Sequence, residues 1–366
     1  MGLKKKRLSI GNNQLREEPS PYLTANKCTD FSSRSETLSF VITFEDHIMF
    51  YVGCMLCRII QGVGYVGIQL SSMSIIMSEF HLCISTLIGV LAMAYGFGAS
   101  IGPFIAGLLF DNLGVRAPFL VISMFVTILW GVAFFIVKPK PSRDYNEIDI
   151  NTQHRYKDLI CIPELSLPIW SSVVSITIVT FMDISFAPYL HRTFDASSTL
   201  SGAYLIISPF TFSISSPVIG HFVDRMGYQP LLIMLGSVLC TVSVMLIGPA
   251  PFLGIAPSLR LISFALVMFG FASTLLFVPV ISFCFLILRR RGLEEDESSK
   301  SFINCLSAFA QNFGNFIGPF IGGFLVDLID FQWTTVVYAL ITVPLIVFGV
   351  IYLISSRTAS REELDD

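Results

Sequence analysis

Charge is what this sequence has least of. Only 13% of its 366 residues are Asp, Glu, Lys or Arg, against about 25% in a soluble domain. Too little polar side chain is present to cover a water-facing surface, so lipid must take much of that role. No Asn-x-Ser/Thr glycosylation site occurs. The opening Met1-Gly2-Leu3-Lys4-Lys5-Lys6 lacks the Ser/Thr of a myristoylation signal. The first 37 residues hold no long apolar core, so no cleavable leader is expected. Eight cysteines are scattered, and the pair Cys54 and Cys57 has no His or second Cys pair at metal-ligand spacing. It reads as buried and inert. Phosphate loops and nucleophile–base constellations are also missing, so neither an enzyme nor a cofactor is expected. The net charge of −3 points to no partner class.

What is present is apolar length: 53% of residues are hydrophobic, with a mean hydropathy of +0.72. A bilayer-spanning helix needs about 20 mainly apolar residues. Nine segments reach that length, at about 47–78, 85–110, 116–137, 165–190, 198–223, 229–250, 258–288, 301–326 and 333–355. Backbone in hydrocarbon must satisfy its own polar groups, and nothing here alternates with period two, so the expected class is all-α membrane protein. Residues 1–46 are mostly polar and read as a disordered tail. The segments then divide into three helices over 47–137, a charged linker over 138–164, six helices over 165–355 and a C-terminal tail over 356–366.

One internal repeat organises the chain. Ile101-Gly102-Pro103-Phe104-Ile105-Ala106-Gly107-Leu108-Leu109-Phe110-Asp111 is echoed by Ile317-Gly318-Pro319-Phe320-Ile321-Gly322-Gly323-Phe324-Leu325-Val326-Asp327, with eight of eleven positions identical. Repeats between halves are how many transporters are built, with the binding site at the repeat interface. The second copy is the fifth helix after the linker and the first copy only the second helix before it. A symmetric design would place three more helices ahead of residue 47.

Several motifs then carry a family resemblance. Arg58-Ile59-Ile60-Gln61-Gly62-Val63-Gly64 resembles the RxxxGxG-type signature of the fourth helix of major facilitator transporters. Gly89, Gly98, Gly102, Pro103 and Gly107 resemble the fifth-helix signature of that superfamily's antiporters, with Ala106 in place of its next-to-last glycine. Gly220-His221-Phe222-Val223-Asp224-Arg225-Met226-Gly227 looks like the loop between its eighth and ninth helices. Gly114 to Leu120, Phe181-Met182-Asp183, Ser215 to Gly220 and Ile247 to Leu253 look most like the vesicular amine transporters, especially their polyamine-transporter-like branch. The resemblance covers about 47–356, helices four to twelve of twelve. It implies proton-coupled antiport of small organic cations, amines or polyamines, across a vesicle or other endomembrane rather than the plasma membrane. The branch's first helix supplies an acid that pairs with the amine, and this chain has no counterpart of that helix. The alternative is a non-transporting shortened chain, or an incomplete gene product, that acts only as an interaction partner. On its own the 366-residue chain is expected to be unstable or inactive in transport.

Residue by residue, two readings stand side by side. Arg58 lies in an apolar helix, where a charge at mid-membrane costs about 2.5–3.5 kcal/mol. With Gln61 it either couples occupancy to helix motion or snorkels from a helix end. Asp183 sits among Phe181, Met182 and Ile184 and is either a cation or proton site or a structural hydrogen bonder, since apolar burial disfavours a carboxylate's charged form. Gly98 and Gly102, like Gly314 and Gly318, are four apart, a spacing that lets helix backbones approach. With Gly89, Pro103, Gly107, Pro319, Gly322 and Gly323 they read as a hinge or as static packing. Asp224 and Arg225 read as a conformational latch or as exposed charges of little effect. Tyr189, His191, Gln311 and Asn312 are polar candidates for a cavity or for ordinary hydrogen bonds between helices.

Loop charge supplies an orientation. Twelve Lys/Arg lie on the linker's side of the membrane and three on the other, which places the linker in the cytosol. The N-terminal tail, with seven Lys/Arg, falls on the opposite face by helix count.

Overall fold

The computed structural model describes residues 47–80, 83–113, 116–136, 162–250, 252, 254–293 and 297–365. Among these there is no β-strand. The helices are α1 His47–Glu79, α2 Ile84–Leu113, α3 Arg116–Ile136, α4 Ser166–Phe194, α5 Ser198–Met226, α6 Gln229–Ile247, α7 Leu259–Phe277, α8 Val280–Arg290 and α9 Glu297–Asp365. A 3-10 turn, Pro163–Leu165, leads into α4. Each of the nine predicted segments falls on a helix. The segment 258–288 is shared by α7 and α8, and 301–326 and 333–355 fall on the two arms of α9. The helix runs on to Asp365, through residues read as the C-terminal tail. The tail 1–46 and the linker up to residue 161 lie outside the described residues.

Seven helical runs are long and apolar enough to cross a membrane among the described residues. The longest, Ser298–Tyr352, spans 55 residues. It is broken at Asp330, whose φ of 65° and ψ of 163° are not helical, so it supplies two crossings. α3 contributes a shorter apolar stretch, Leu120–Leu129.

Local signals place several helix ends. Ser197 and Ser258 cap α5 and α7, their hydroxyls accepting from the Leu200 and Leu261 amides at 3.2 and 3.3 Å. Such caps satisfy amides that have no partner inside the helix. Gly227, at φ +67°, ends α5 in the left-handed conformation that glycine takes without strain. Pro279 cannot donate a backbone hydrogen bond, and the chain turns there between α7 and α8. α5 itself contains Pro209 and Pro217. Its Thr211, Ser213, Ser215 and Ser216 hydroxyls donate to carbonyls one turn back, at 2.6–2.9 Å.

Two compact units divide the chain, Gln61–Ala106 with Pro139–Asp366 and Met1–Ile60 with Gly107–Lys138. The larger unit holds the core. There α9 packs on α4 and α6, and α7 packs on α5 and α6. Ile178, Leu190, Ile233, Val244, Ile262 and Phe283 are completely buried. An aromatic stack runs through this core, with Phe181 4.2 Å from Tyr338 and Tyr189 4.2 Å from Phe331. Gly322 makes room for the Phe181 ring, and the Tyr338 hydroxyl donates to the Gly318 carbonyl at 2.9 Å. Close approach through small residues is how helices associate in lipid, where apolar burial alone gives little drive. At the end of α8, Arg290 donates to the Tyr352 hydroxyl at 3.0 Å, and Arg291 pairs with Glu164. In the smaller unit, α3 exposes Leu120, Met124, Phe125 and Ile128. Those side chains suit contact with acyl chains rather than water.

Candidate functional site

A cavity of about 450 Å³ opens inside the larger unit. Its walls come from α1, α2, α4, α5, α7 and the 297–329 arm of α9. Phe186, Phe212, Phe269 and Phe277 make much of the lining apolar, and Tyr65 and Tyr95 add aromatic faces with hydroxyl ends. Asp183 is the one carboxylate among the described lining residues, and no Lys, Arg or His is among them. Asp183 is exposed and lines this cavity. Its side chain accepts no hydrogen bond from a described residue.

Amides gather elsewhere in the same cavity. The Gln69 side chain donates to Gln311 Oε1 at 2.7 Å and accepts from Asn312 Nδ2 at 3.1 Å. Both ends of one amide are thereby used, which ties α1 to α9. Asn304 adds a second tie, donating to the Leu70 carbonyl at 2.9 Å. Gln311 and Asn315, one turn apart, both line the cavity.

The helices around this space are held by glycines. A Cβ on Gly89 would collide with Ser216 and Pro217 of α5, and one on Gly220 with Ser85 and Thr86 of α2. The residue numbers rise on one helix as they fall on the other, so α2 and α5 run antiparallel with their backbones nearly touching. Gly314 lies on Val173 and Thr177 of α4, and Gly318 on Thr177 and Thr180. A Cβ on Gly98, Gly102 or Gly323 would meet no other described residue within 4 Å. Pro103 lines the cavity, Pro319 is half-buried in α9, and Gly107 is helical. α2 continues as a helix through Pro103 and α9 through Pro319.

Asp224, near the end of α5, reaches the start of α2. It accepts from the Ser85 amide at 3.0 Å, and its other oxygen accepts from the Thr86 amide at 2.7 Å and the Thr86 hydroxyl at 2.6 Å. A carboxylate here satisfies otherwise unpaired amides and meets the positive end of the helix dipole. Arg225 beside it is exposed.

Of the polar candidates read from sequence, Asp183 and Gln311 thus share the cavity with Pro103. Arg58 and Gln61 are exposed and are not among its lining residues. Asn312 acts through Gln69, His191 is exposed, and Tyr189 packs on Phe331. The side chains of Cys54 and Cys57 lie outside the described residues. Sequence reading missed Gln69, Tyr65, Tyr95 and Asn315. A signal existed for two of them: Tyr65, Gln69 and Met73 are four apart and share one helix face.

The Major Facilitator Superfamily profile matches residues 37–293. This chain belongs to the major facilitator superfamily. It is similar to the human MFS-type transporter SLC18B1, at 25% identity over 320 residues covering 87% of this chain and 69% of the relative. The mouse MFS-type transporter SLC18B1 is 26% identical over 315 residues, covering 86% of this chain and 68% of that protein. The crystal structure of the human organic anion transporter MFSD10 (TETRAN) shares the fold, with a TM-score of 0.63 at 15% identity, over 88% of this chain and 75% of that one. The helical architecture is therefore a partial major facilitator fold, and the chain is a multi-pass membrane protein of a transporter family.

Proposed function

We propose that this chain carries the substrate path of a proton-coupled antiporter for small organic cations, amines or polyamines, in a vesicle or other endomembrane. One observation carries the reading: a single carboxylate, Asp183, faces a cavity whose other described lining residues are apolar, aromatic, hydroxyl or amide. Such a site attracts a cation and repels an anion, so the organic anions named for the solved neighbour do not suit it. A carboxyl among apolar walls in a membrane-spanning helix can also exchange its proton for a cation. Arg58 and Gln61 of α1 are assigned with Asp183 to the substrate or proton pathway. The glycines of α2 and α9 act as the hinge, and Asp224 with Arg225 as a latch on α2 that forms in one state and opens in another. In this reading 47–137 is part of one half, 165–355 is the six-helix half, and 138–164 lies in the cytosol.

The test is transport. Against the expectation from sequence that the chain alone is inactive, this reading requires the purified chain in liposomes to accumulate a labelled amine when the lumen is acid, and collapse of the gradient with a protonophore should stop it. Uptake that persists after collapse would overturn proton coupling.

A second reading rests on a different observation. Gly314 and Gly318 are covered by α4, whereas Gly98 and Gly102, at the same spacing in the repeated motif, face nothing within 4 Å. The chain would then be a non-transporting component that associates with a partner supplying another membrane helix. Uptake that appears only on co-expression with a longer relative would favour it.

A further inference from the structure

Two tyrosines open onto the same cavity as Asp183. Tyr65 and Tyr95 are both exposed, and both line it. Tyrosine in a membrane protein gathers at the interfaces, where its ring sits at headgroup level. These two stand near the middle of α1 and α2 instead. Each belongs to a stripe along the cavity wall, with Gln69 one turn after Tyr65 on α1 and Ala99 one turn after Tyr95 on α2.

Neighbouring helices set the levels. Gln69 bonds to Gln311 and Asn312, and Asn304 bonds to the Leu70 carbonyl. Numbers rise on α1 as they fall on α9, so α1 runs antiparallel to the 297–329 arm. Gly314 lies on Val173 and Thr177, Gly318 on Thr177 and Thr180, and Gly322 on Phe181, so that arm runs parallel to α4. α1 and α4 are therefore antiparallel, and Asp183 lies about two turns, on the order of 10 Å, beyond the level of Tyr65. A Cα–Cβ bond tilts toward the N-terminus of its own helix. The bonds of Tyr65 and Asp183 thus lean toward each other's level. Tyr95 interacts electrostatically with Tyr65 and Asp183 alike, which brings the three groups to one region of the cavity.

A carboxylate among ring faces suits a particular nitrogen. The carboxylate attracts any ammonium. The negative face of a ring adds attraction to a cation, most when water is excluded, and cages of such rings are how quaternary ammonium is recognised. A primary ammonium keeps three N–H groups that hold water. Each further alkyl group replaces one of them with carbon, which the rings cover at a gain.

Resting on the cation-transport reading above, we infer that Tyr65 and Tyr95 complete the Asp183 site as an aromatic cage for an alkylated ammonium. The charge of a secondary, tertiary or quaternary nitrogen lies against the carboxylate, and its carbons lie on the two rings. An inner nitrogen of a polyamine is of this kind.

Binding to the purified 366-residue chain in lipid nanodiscs tests this, with hexylamine, N-methylhexylamine and N,N,N-trimethylhexylammonium, each of one positive charge. Both methylated ligands should bind severalfold tighter than hexylamine, a ranking that needs no variant to fold. Tyr65→Leu and Tyr95→Leu should each weaken the methylated ligands by about 2- to 30-fold, the range of one cation–π contact, and shrink their advantage over hexylamine. Tyr65→Phe and Tyr95→Phe keep the ring and should keep the advantage. Hexylamine binding as tightly as either methylated ligand overturns the cage and leaves cation binding in place, as does an equal loss in the Phe and Leu variants. Failure of all three ligands to bind the unmodified chain overturns the cation-transport reading itself.

Discussion

Asp224 holds Thr86 by two bonds at once: one carboxylate oxygen takes both the backbone amide, at 2.7 Å, and the side-chain hydroxyl, at 2.6 Å. The residues are 138 apart in sequence and belong to different helices. The contact seals the first turn of α2 with a charge supplied from the last turn of α5. Separation of these helix ends therefore exposes unpaired amides and an unpaired carboxylate together.

Asp224→Ala should lower thermal stability in detergent by about 1–2 kcal/mol, the usual loss for removing a helix cap. Thr86→Val removes only the hydroxyl bond and should cost less. The two changes together should cost less than their sum, since they remove one shared contact. Strictly additive melting shifts would mean that the contact does not persist in solution.

The α2–α5 crossing makes a prediction of opposite signs. Gly89→Ala and Gly220→Ala each drive a methyl group into backbone atoms of the facing helix and should destabilise by about 1–3 kcal/mol. Gly98→Ala meets open space and should be neutral or gain about 0.5–1 kcal/mol from helix propensity. Melting of the three variants in one lipid mixture separates the cases. Equal losses at all three positions would contradict the packing described.

Asp330 breaks α9 at a φ of 65° and ψ of 163°, a region almost reserved for glycine. Asp330→Gly should stabilise the chain by about 1–3 kcal/mol. The Thr334 hydroxyl bond to the residue-330 carbonyl, 2.8 Å long, involves only backbone at that position and should survive. Denaturation midpoints of Asp330→Gly and Asp330→Ala measure this, and a gain from alanine equal to that from glycine would rule out backbone strain.

Asp183→Asn keeps size and removes charge. A buried cation deprived of its counter-charge costs about 3–5 kcal/mol, so amine affinity should fall at least ~100-fold. Any dependence of uptake on the pH gradient should vanish with it. Binding isotherms and vesicle uptake are the measurements, and unchanged transport with unchanged pH dependence would assign Asp183 a structural role.

The sequence disclosed the helices because crossing a bilayer requires about 20 apolar residues in a row. Even the turn at Pro279 hides inside such a run. Asp183 was legible for a related reason, since a charge among Phe181, Met182 and Ile184 stands out. Gln69 did not stand out. A glutamine costs little in a helix, and its partner Gln311 is 242 residues away, a pairing that only tertiary structure creates. Glycine spacing was likewise ambiguous. The four-residue rhythm is identical at Gly98/Gly102 and Gly314/Gly318, yet only the second pair has a helix against it. Gly96 and Gly270, which no repeat marks, sit tightly against α5. What faces a helix depends on its neighbours, and its own sequence does not carry that information.

Two prolines and a row of back-bonded hydroxyls give α5 a mechanical character of its own. Each proline deletes a rung of the helical ladder, and each hydroxyl competes for a carbonyl and loosens the turn it spans. α5 is thus a beam of low bending stiffness, pressed along its length against α2 at Gly89, Gly96 and Gly220. A flexible beam on a close-fitting support turns a small push at one end into a tilt at the other, with the glycine contact as fulcrum. Phe212 rides on that beam as part of the cavity wall, and Gly270 of α7 is packed against the same stretch, so any flexure of α5 that changes the bore of the cavity must shift α7 with it.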